Sequence, residues 1–411
     1  MTKLENMLQY VSEHNLFYKN RIKEYGINDP LDITQWPILT RKELQENRYN
    51  MFSDGYKNKY YNQQLIRQVS SGSSGMPVNV YWDYNDWHAS NMSLWRKRWQ
   101  WYEIKPNDKS VIFTLNSFGE TNKNKPLFSL LSENILSFNI SLINSIEEYS
   151  EIISLIDGFE PTWLYIQPFV LGKLVLAYKN LGIKPPTSIK YIESVGEILS
   201  NNLKSQAINL FQCRIADMYG SEEMNGMALE NPAGTMEILK DNIFIEVSSM
   251  SGIKTIGEGT AIVTNLNNHA MPLIRYCHND EILLNNQRTE NNKNSTTKVE
   301  KIIGRSNNSI KTPNGAEINT FLLSEIVAEA NNLLSDIIVE YKYQYKRADN
   351  SLYCTLSIRK EFMAWRSSVK ENIISIFNKK VKGDINFVLN ITNEPLFRLN
   401  NLKIKILDIV D

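Results

Sequence analysis

Between Ser110 and Met218 the chain alternates short apolar runs with longer stretches of helical period. Val111–Leu115, Ile135–Leu142, Trp163–Ile166, Ile189–Val195 and Ile215–Met218 have the length and composition of buried strands. Ile146–Ile156, Phe169–Leu181 and Leu199–Phe211 read as the helices between them. Alternating βα units predict a largely parallel sheet with helices on its faces, and ligands of such sheets bind beyond the carboxyl ends of strands. Upstream, two β-type runs, Leu65–Val69 and Val78–Trp82, bracket a polar stretch, Ser70–Pro77. The residues before them read as helical and connecting, with a turn at Asp29–Pro30 and a capping box in which Thr40 and Glu43 close a helix start. Trp87, Trp95 and Trp99 recur at multiples of four, which predicts a tryptophan stripe packed into the core.

Beyond Asn242 the period shortens. Ile243–Val247, Gly259–Leu266 and Leu273–Tyr276 predict strands of a β-rich subdomain, and residues 285–298, polar and rich in asparagine, predict an exposed loop. The remainder predicts a small open-faced α+β domain: helix Phe321–Leu334, strands Ile337–Tyr345 and Leu352–Ile358, helix Met363–Asn378 and strand Ile385–Ile391. The expectation is an α/β chain with a large domain over 1–303, a small one over 304–411 and a hinge near 305–308, just after Gly304.

Composition removes several function classes. At 411 residues the chain exceeds one growing core, so more than one domain is expected. Its 45 basic and 45 acidic residues cancel, which leaves no global field for nucleic acid or an anionic membrane. No basic segment followed by an apolar run opens the sequence, and no apolar stretch reaches the roughly 20 residues a bilayer requires. Cys213, Cys277 and Cys354 are few and scattered, unlike a disulfide framework or a zinc knuckle. These features predict a cytoplasmic protein.

Four motifs carry the chemistry. Ser70-Ser-Gly-Ser-Ser-Gly-Met-Pro77 gathers hydroxyls and glycines between two strands, where a backbone can approach an anion and donate to phosphate oxygens. It is not a Walker loop, lacking the Gly-Lys-Ser/Thr ending and a following helix. Ser194-Val-Gly-Glu-Ile-Leu-Ser200 follows one strand and starts a helix; Tyr219-Gly-Ser-Glu-Glu223 follows the next strand; Met271–Asp280 lies in the β-rich part. Read singly, the loop is also a flexible turn, Glu223 a solvated acid at a helix start, Asp280 a turn residue and His278 a core or solvated histidine. Together their order and their positions at strand ends specify a site.

In these motifs the chain resembles the adenylate-forming superfamily, within it the branch of phenylacetate–coenzyme A ligases and capsule-biosynthesis adenylyltransferases. The family's Ser-Ser-Gly-Thr-Thr-Gly-Lys-Pro corresponds to Ser70–Pro77, its Tyr-Gly-x-Ser/Thr-Glu to Tyr219–Glu223, its Pro-Leu-Ile-Arg-Tyr-Arg-Thr-Gly-Asp to Pro272–Asp280, and its Gly-Arg hinge to Gly304–Arg305. The resemblance implies a mobile C-terminal lid and a two-step reaction. A small, aromatic carboxylic acid and ATP would give acyl-adenylate and pyrophosphate, and a thiol, most simply that of coenzyme A, would take the acyl group. A carrier-protein thiol or an amine is the alternative acceptor, and a catalytically impaired nucleotide- or partner-binding protein is the alternative class.

The resemblance also assigns roles. Ser71, Gly72, Ser73, Ser74 and Gly75 would hold the β- and γ-phosphates; Gly196, Glu197 and Ile198 would lie along adenine, with Tyr219 stacked on it and Gly220 and Ser221 beside it. Asp280 would accept from both ribose hydroxyls, Arg305 would bind the nucleotide from the hinge, and Glu223 would bind Mg²⁺, a hard cation that takes oxygen ligands. Lys403 is the candidate catalytic lysine of the lid, with Lys405 its competitor and a merely solvated strand the other reading. Phe118, Tyr165, Gln167 and Ser194 follow strand ends and are candidates for the acid pocket. Met76, Glu222, Cys277, His278 and the Asn307–Asn308 pair depart from the family pattern. Leu229–Asn231 and Met236–Glu237 offer no set of zinc ligands, so no structural zinc is expected.

Overall fold

The computed structural model describes residues 1–69, 78–114, 127–139, 148–289, 292–305, 309–312, 317–334, 337–381, 384–394, 396 and 407–410. It is an α/β chain that divides by compactness into two units. One comprises Met1–Asp108, Tyr191–Gly196 and Ala216–Ile302; the other comprises Lys109–Lys190, Glu197–Ile215 and Ile303–Asp411.

The first unit begins with helices whose ends follow from local chemistry. Thr2 and Glu5 cap Lys3–His14 reciprocally, and the expected box at Thr40 and Glu43 caps Arg41–Glu46 in the same way. The Asp29–Pro30 turn is present, the Leu31 amide donating to Asp29 Oδ1 at 2.9 Å. Ile66–Val69 and Asn79–Trp82 pair antiparallel across the serine-glycine stretch. The main sheet of this unit orders its strands Gly252–Lys254, Ile243–Ser249, Gly257–Asn265, Tyr276–Thr289, Asn292–Arg305, Met236–Ile238, Asn225–Glu230, Arg214–Ser221 and Tyr191–Val195. Trp36, Leu39, Trp82, Met224, Met227, Leu273 and Tyr276 belong to the core that holds the sheet to the helices.

In the second unit, Ser110–Thr114 pairs parallel with both Ile135–Asn139 and Trp163–Ile166, and Phe128–Ser132 adds an antiparallel edge. Helices Glu148–Phe159, Pro168–Leu181 and Asn201–Phe211 fall where the periodicity placed them. Pro168 stands in the first turn and Gly182 ends the helix in the left-handed region, which is where those residues belong. The C-terminal segment carries a separate four-stranded sheet ordered Asn386–Thr392, Ser351–Ile358, Ile338–Lys346, Leu407–Val410, with helices Thr320–Leu334 and Arg366–Lys380. Buried Tyr343, Leu352, Leu356, Val369 and Ile373 form its core.

Three expectations need correction. Leu273–Tyr276 is not a strand: the ladder starts at Tyr276. Pro272 has no amide to donate, Arg275 sits at φ 51, and the Ile274 and Arg275 amides donate to the Tyr18 hydroxyl and Thr264 Oγ1 instead of a neighbouring strand. Residues 285–298 are not a loop among the described positions: they belong to the neighbouring strands Tyr276–Thr289 and Asn292–Arg305. Backbone pairing carries these strands, which is why exposed Asn285 and Asn286 are tolerated there. The tryptophans are not a core stripe either. Helix Tyr84–Tyr102 buries Ser90, Ser93, Leu94, Arg98 and Tyr102, while Trp99 is 60% exposed and Trp87 and Trp95 are half-buried. The buried Arg98–Glu193 pair, bonded at 2.8 and 2.5 Å, sets which face of this helix turns inward. Among the described residues no helix is long and apolar enough to cross a membrane.

Candidate functional site

Tyr219, Gly220 and Ser221 end one strand of a tight hairpin, Glu222–Met224 make the turn, and Asn225 opens the return strand at φ 60. Glu223 is therefore a turn residue, not a helix-start acid. The hairpin is close-packed at Gly220, where a Cβ would come within 2.6 Å of the Asn225 carbonyl oxygen. Glu222 is exposed, and with the Gln68 amide reoriented its Oε2 accepts from Gln68 at 3.2 Å. With its amide oriented to suit its neighbours, Gln68 donates to the Glu222 carbonyl at 2.6 Å and accepts from Trp87 Nε1 at 2.8 Å, which pins the turn.

Glu223 is buried, and Arg41 Nη1 lies 3.5 Å from its Oε1. Tyr276 stands beside both; burial and the Glu223 carboxylate push its phenol well above the usual range, so it stays protonated. Arg41 was missed as a site residue. Its signal was present, since it begins the capping-box helix directly after Trp36–Thr40, but a cap explained the phrase by itself.

Asp280 meets Tyr219 across the sheet. The Tyr219 hydroxyl donates to Asp280 Oδ2 at 2.9 Å, and His278 Nδ1 lies 2.7 Å from the same oxygen. All three side chains are buried. His278 is thus the core histidine of one sequence reading, and Tyr219 turns its polar end to the carboxylate. Asn279 stands at φ 64, a conformation that asparagine adopts nearly as readily as the glycine the family pattern has there.

Two buried hydroxyls in this unit, Ser221 Oγ and Ser194 Oγ, have no hydrogen-bond partner among the described residues. Buried polar atoms are almost always satisfied, so orphans at a motif and at a strand's carboxyl end mark where a ligand would supply the missing bond. Gly196, at φ 81, bends the chain directly after strand Tyr191–Val195.

In the second unit Tyr165 lies on strand Trp163–Ile166, and Gln167 caps the strand's end, donating to the Phe113 carbonyl at 3.1 Å while its Oε1 has no partner among the described residues. Glu197 is exposed and accepts from the Phe169 amide at 3.3 Å, and Ile198 is half-buried next to it. Ser71, Gly72, Ser73, Ser74, Gly75, Phe118 and Lys403 lie outside the described residues, as does the side chain of Arg305, whose backbone ends strand Asn292–Arg305.

Among the described residues no three His, Cys, Asp or Glu side chains converge on a metal position. A Mg²⁺ ion held mainly by phosphate and water needs only one or two protein carboxylates, and buried Glu223, two residues after the Ser221 hydroxyl, would offer one.

No protein-family model matches the chain. Protein CapK of Staphylococcus aureus is 22% identical over 432 residues, covering 98% of this chain and 88% of that protein. Among solved structures, 2-hydroxyisobutyryl-CoA ligase in the postadenylation state, in complex with 2-HIB-AMP, aligns with a TM-score of 0.77 at 17% identity over 99% of this chain and 88% of its own. The chain has the adenylate-forming fold. A benzoate CoA ligase from Burkholderia xenovorans LB400 aligns over 82% of this chain and 67% of its own, with a TM-score of 0.54 and 14% identity. The adenylate-forming fold thus extends to the C-terminal segment, since the first of these alignments spans nearly the entire chain.

Proposed function

We propose that the chain activates a small carboxylic acid with ATP and transfers the acyl group to coenzyme A, acting in the cytoplasm where both are present. A carboxylate oxygen attacks the α-phosphorus, the bond to pyrophosphate breaks, and acyl-AMP forms. The thiol then attacks the acyl carbonyl, and AMP leaves. The observation that carries this reading is the bond between Tyr219 and Asp280, 61 residues apart in sequence, within the adenylate-forming fold.

The first step brings two anions together, so the site must neutralise charge. Mg²⁺ bound by Glu223 would supply part of that neutralisation when present. Arg41 Nη1, 3.5 Å from Glu223 Oε1, sets a cation beside that carboxylate. Asp280 would accept from the two ribose hydroxyls, each charge-assisted bond contributing on the order of 1.5–3 kcal/mol. Ser221 and Ser194 offer donors for the nucleotide and the acid. Ser71–Gly75 would hold the outer phosphates, Gly196, Glu197 and Ile198 the adenine edge, with Phe118, Tyr165 and Gln167 toward the acid. Residues 304–411 would act as a lid turning about Arg305–Asn308 to present Lys403 in the first step and a path for the thiol in the second, hinges being short stretches that absorb large backbone changes.

An aromatic acid, and so a phenylacetate–CoA ligase-like specificity, is the favoured substrate class. Benzoate and anthranilate CoA ligases share the fold, although 2-hydroxyisobutyryl-CoA ligase shows that the fold also serves a branched aliphatic acid. Pyrophosphate release with ATP and Mg²⁺ across a panel of aromatic and aliphatic acids tests the reading. Acid-dependent release at least about tenfold above the acid-free rate, with aromatic acids preferred, is expected. Release that no acid stimulates would refute adenylation, and strict aliphatic preference would refute the aromatic assignment alone.

A further inference from the structure

His278 is buried, lies on the strand that carries Asp280, and faces it across a break in the ladder. Cys277 pairs with Ile262 and Glu281 with Thr260, so His278, Asn279 and Asp280 together stand opposite Ala261. Residues two apart share a face in a regular strand, and the bulge, with Asn279 at φ 64, bends the chain between them. Here it brings His278 Nδ1 to 2.7 Å from Asp280 Oδ2, the oxygen that also accepts from Tyr219 at 2.9 Å. The imidazole is confined between two phenol rings. Tyr219 meets it edge-on at 6.1 Å and 85°, and Tyr276 at 6.4 Å and 84°. A hydrogen bond from the imidazole to this carboxylate oxygen is made by the tautomer that carries its proton on Nδ1.

We infer that His278 is a positioning residue: its Nδ1–H and the Tyr219 hydroxyl fix the Asp280 carboxylate in the orientation that accepts the two ribose hydroxyls of the nucleotide. The inference rests on the nucleotide-binding reading of Asp280. Both donors meet the same oxygen, Asp280 Oδ2, so together they set the rotation of the carboxylate. Without them the carboxylate would rotate among orientations, and the ligand would have to select the productive one on binding. The family pattern has threonine at this position, a shorter donor that cannot wedge between two phenol rings. The assignment is therefore particular to this chain.

The test compares AMP with 2′,3′-dideoxy-AMP by calorimetry, on the intact chain and on His278→Ala and His278→Asn, with thermal melts to confirm folding. Wild type should bind AMP at least about tenfold tighter than the dideoxy nucleotide, the scale of one charge-assisted bond or more. His278→Ala should weaken AMP by about tenfold and leave the dideoxy nucleotide within about twofold. His278→Asn, which keeps a donor near the Nδ1 position, should recover AMP affinity to within about threefold of wild type. Equal losses for both nucleotides, or loss in the asparagine variant as large as in the alanine one, would overturn the positioning role while leaving Asp280 a ribose ligand. A wild-type protein that binds both nucleotides equally would overturn the ribose reading and this inference together.

Discussion

Two arginine–glutamate pairs in the first unit differ in almost every respect. Arg275 grips Glu246 with Nε at 2.9 Å and Nη2 at 3.0 Å, and its Nη1 also donates to the carbonyls of Trp36 and Thr34 at 2.7 and 3.2 Å. Arg41 Nη1 lies 3.5 Å from Glu223 Oε1. The first pair is a clamp: a bidentate fork with further bonds to backbone, joining the sheet to the N-terminal segment. The second is loose, its arginine side chain 19% exposed, and it leaves a buried carboxylate able to exchange one cation for another. Tight geometry marks the pair that holds the fold, and slack geometry marks the pair proposed to work.

Breaking the clamp should have the largest effect. Arg275→Ala strands Glu246, whose carboxyl burial already pushes up against the pull of Arg275, and should cost roughly 3–5 kcal/mol in urea unfolding. A loss under about 1 kcal/mol would mean that the bidentate pair is no structural clamp. At the loose pair the effect should move from stability to activity. Glu223→Gln should lower acid-dependent pyrophosphate release at least about tenfold, or 1.4 kcal/mol, with the melting temperature unchanged or slightly raised, because a neutral isostere removes a buried charge. A variant with normal release and unaltered Mg²⁺ dependence would take Glu223 out of the site.

The smallest effect concerns a third pair, in which Arg21 Nη1 donates to Glu43 at 2.8 Å while Thr40 donates through its amide and hydroxyl at 2.8 and 2.7 Å. Burial opposes the Glu43 charge, but Thr40 and Arg21 outweigh it, so the carboxyl titrates below its ordinary value of 4.5. A depressed carboxyl stabilises the fold above its unfolded pKa and loses that contribution as pH falls through its folded value. Glu43→Gln should therefore cost up to about 1 kcal/mol at neutral pH, and the gap from wild type should close below pH 4.5. A gap that persists in acid would assign the effect to packing.

The contrast between clamp and working pair also explains what could be read from the sequence. The βα alternation, the C-terminal helices and strands and the Thr40–Glu43 cap were legible because each is a local pattern. Glu223 and Asp280 were legible as motif residues. Their partners Arg41 and His278 were not, because those contacts form only when distant segments or a bulge bring them together. The asparagine-rich stretch after Leu284 looked like a loop because side-chain polarity hides backbone pairing, and Leu273–Ile274 looked like a strand because burial there comes from a pinned, irregular turn. Trp99 misled for a related reason: spacing by four gives a helical face but not which face packs.

The Glu222–Met224 turn sets a limit on how this lineage can vary. Glu222 is exposed, so packing constrains the residue type there only weakly. Length cannot drift in the same way. Ser221 opposite Asn225 and Gly220 packed against the Asn225 carbonyl fix the count of residues between the strands. One inserted residue would shift the pairing by a step and exchange inward and outward side chains along the return strand. Substitutions in this turn are open to drift and gaps are closed to it, so homologues of this chain should align here without insertions even where no residue type is shared.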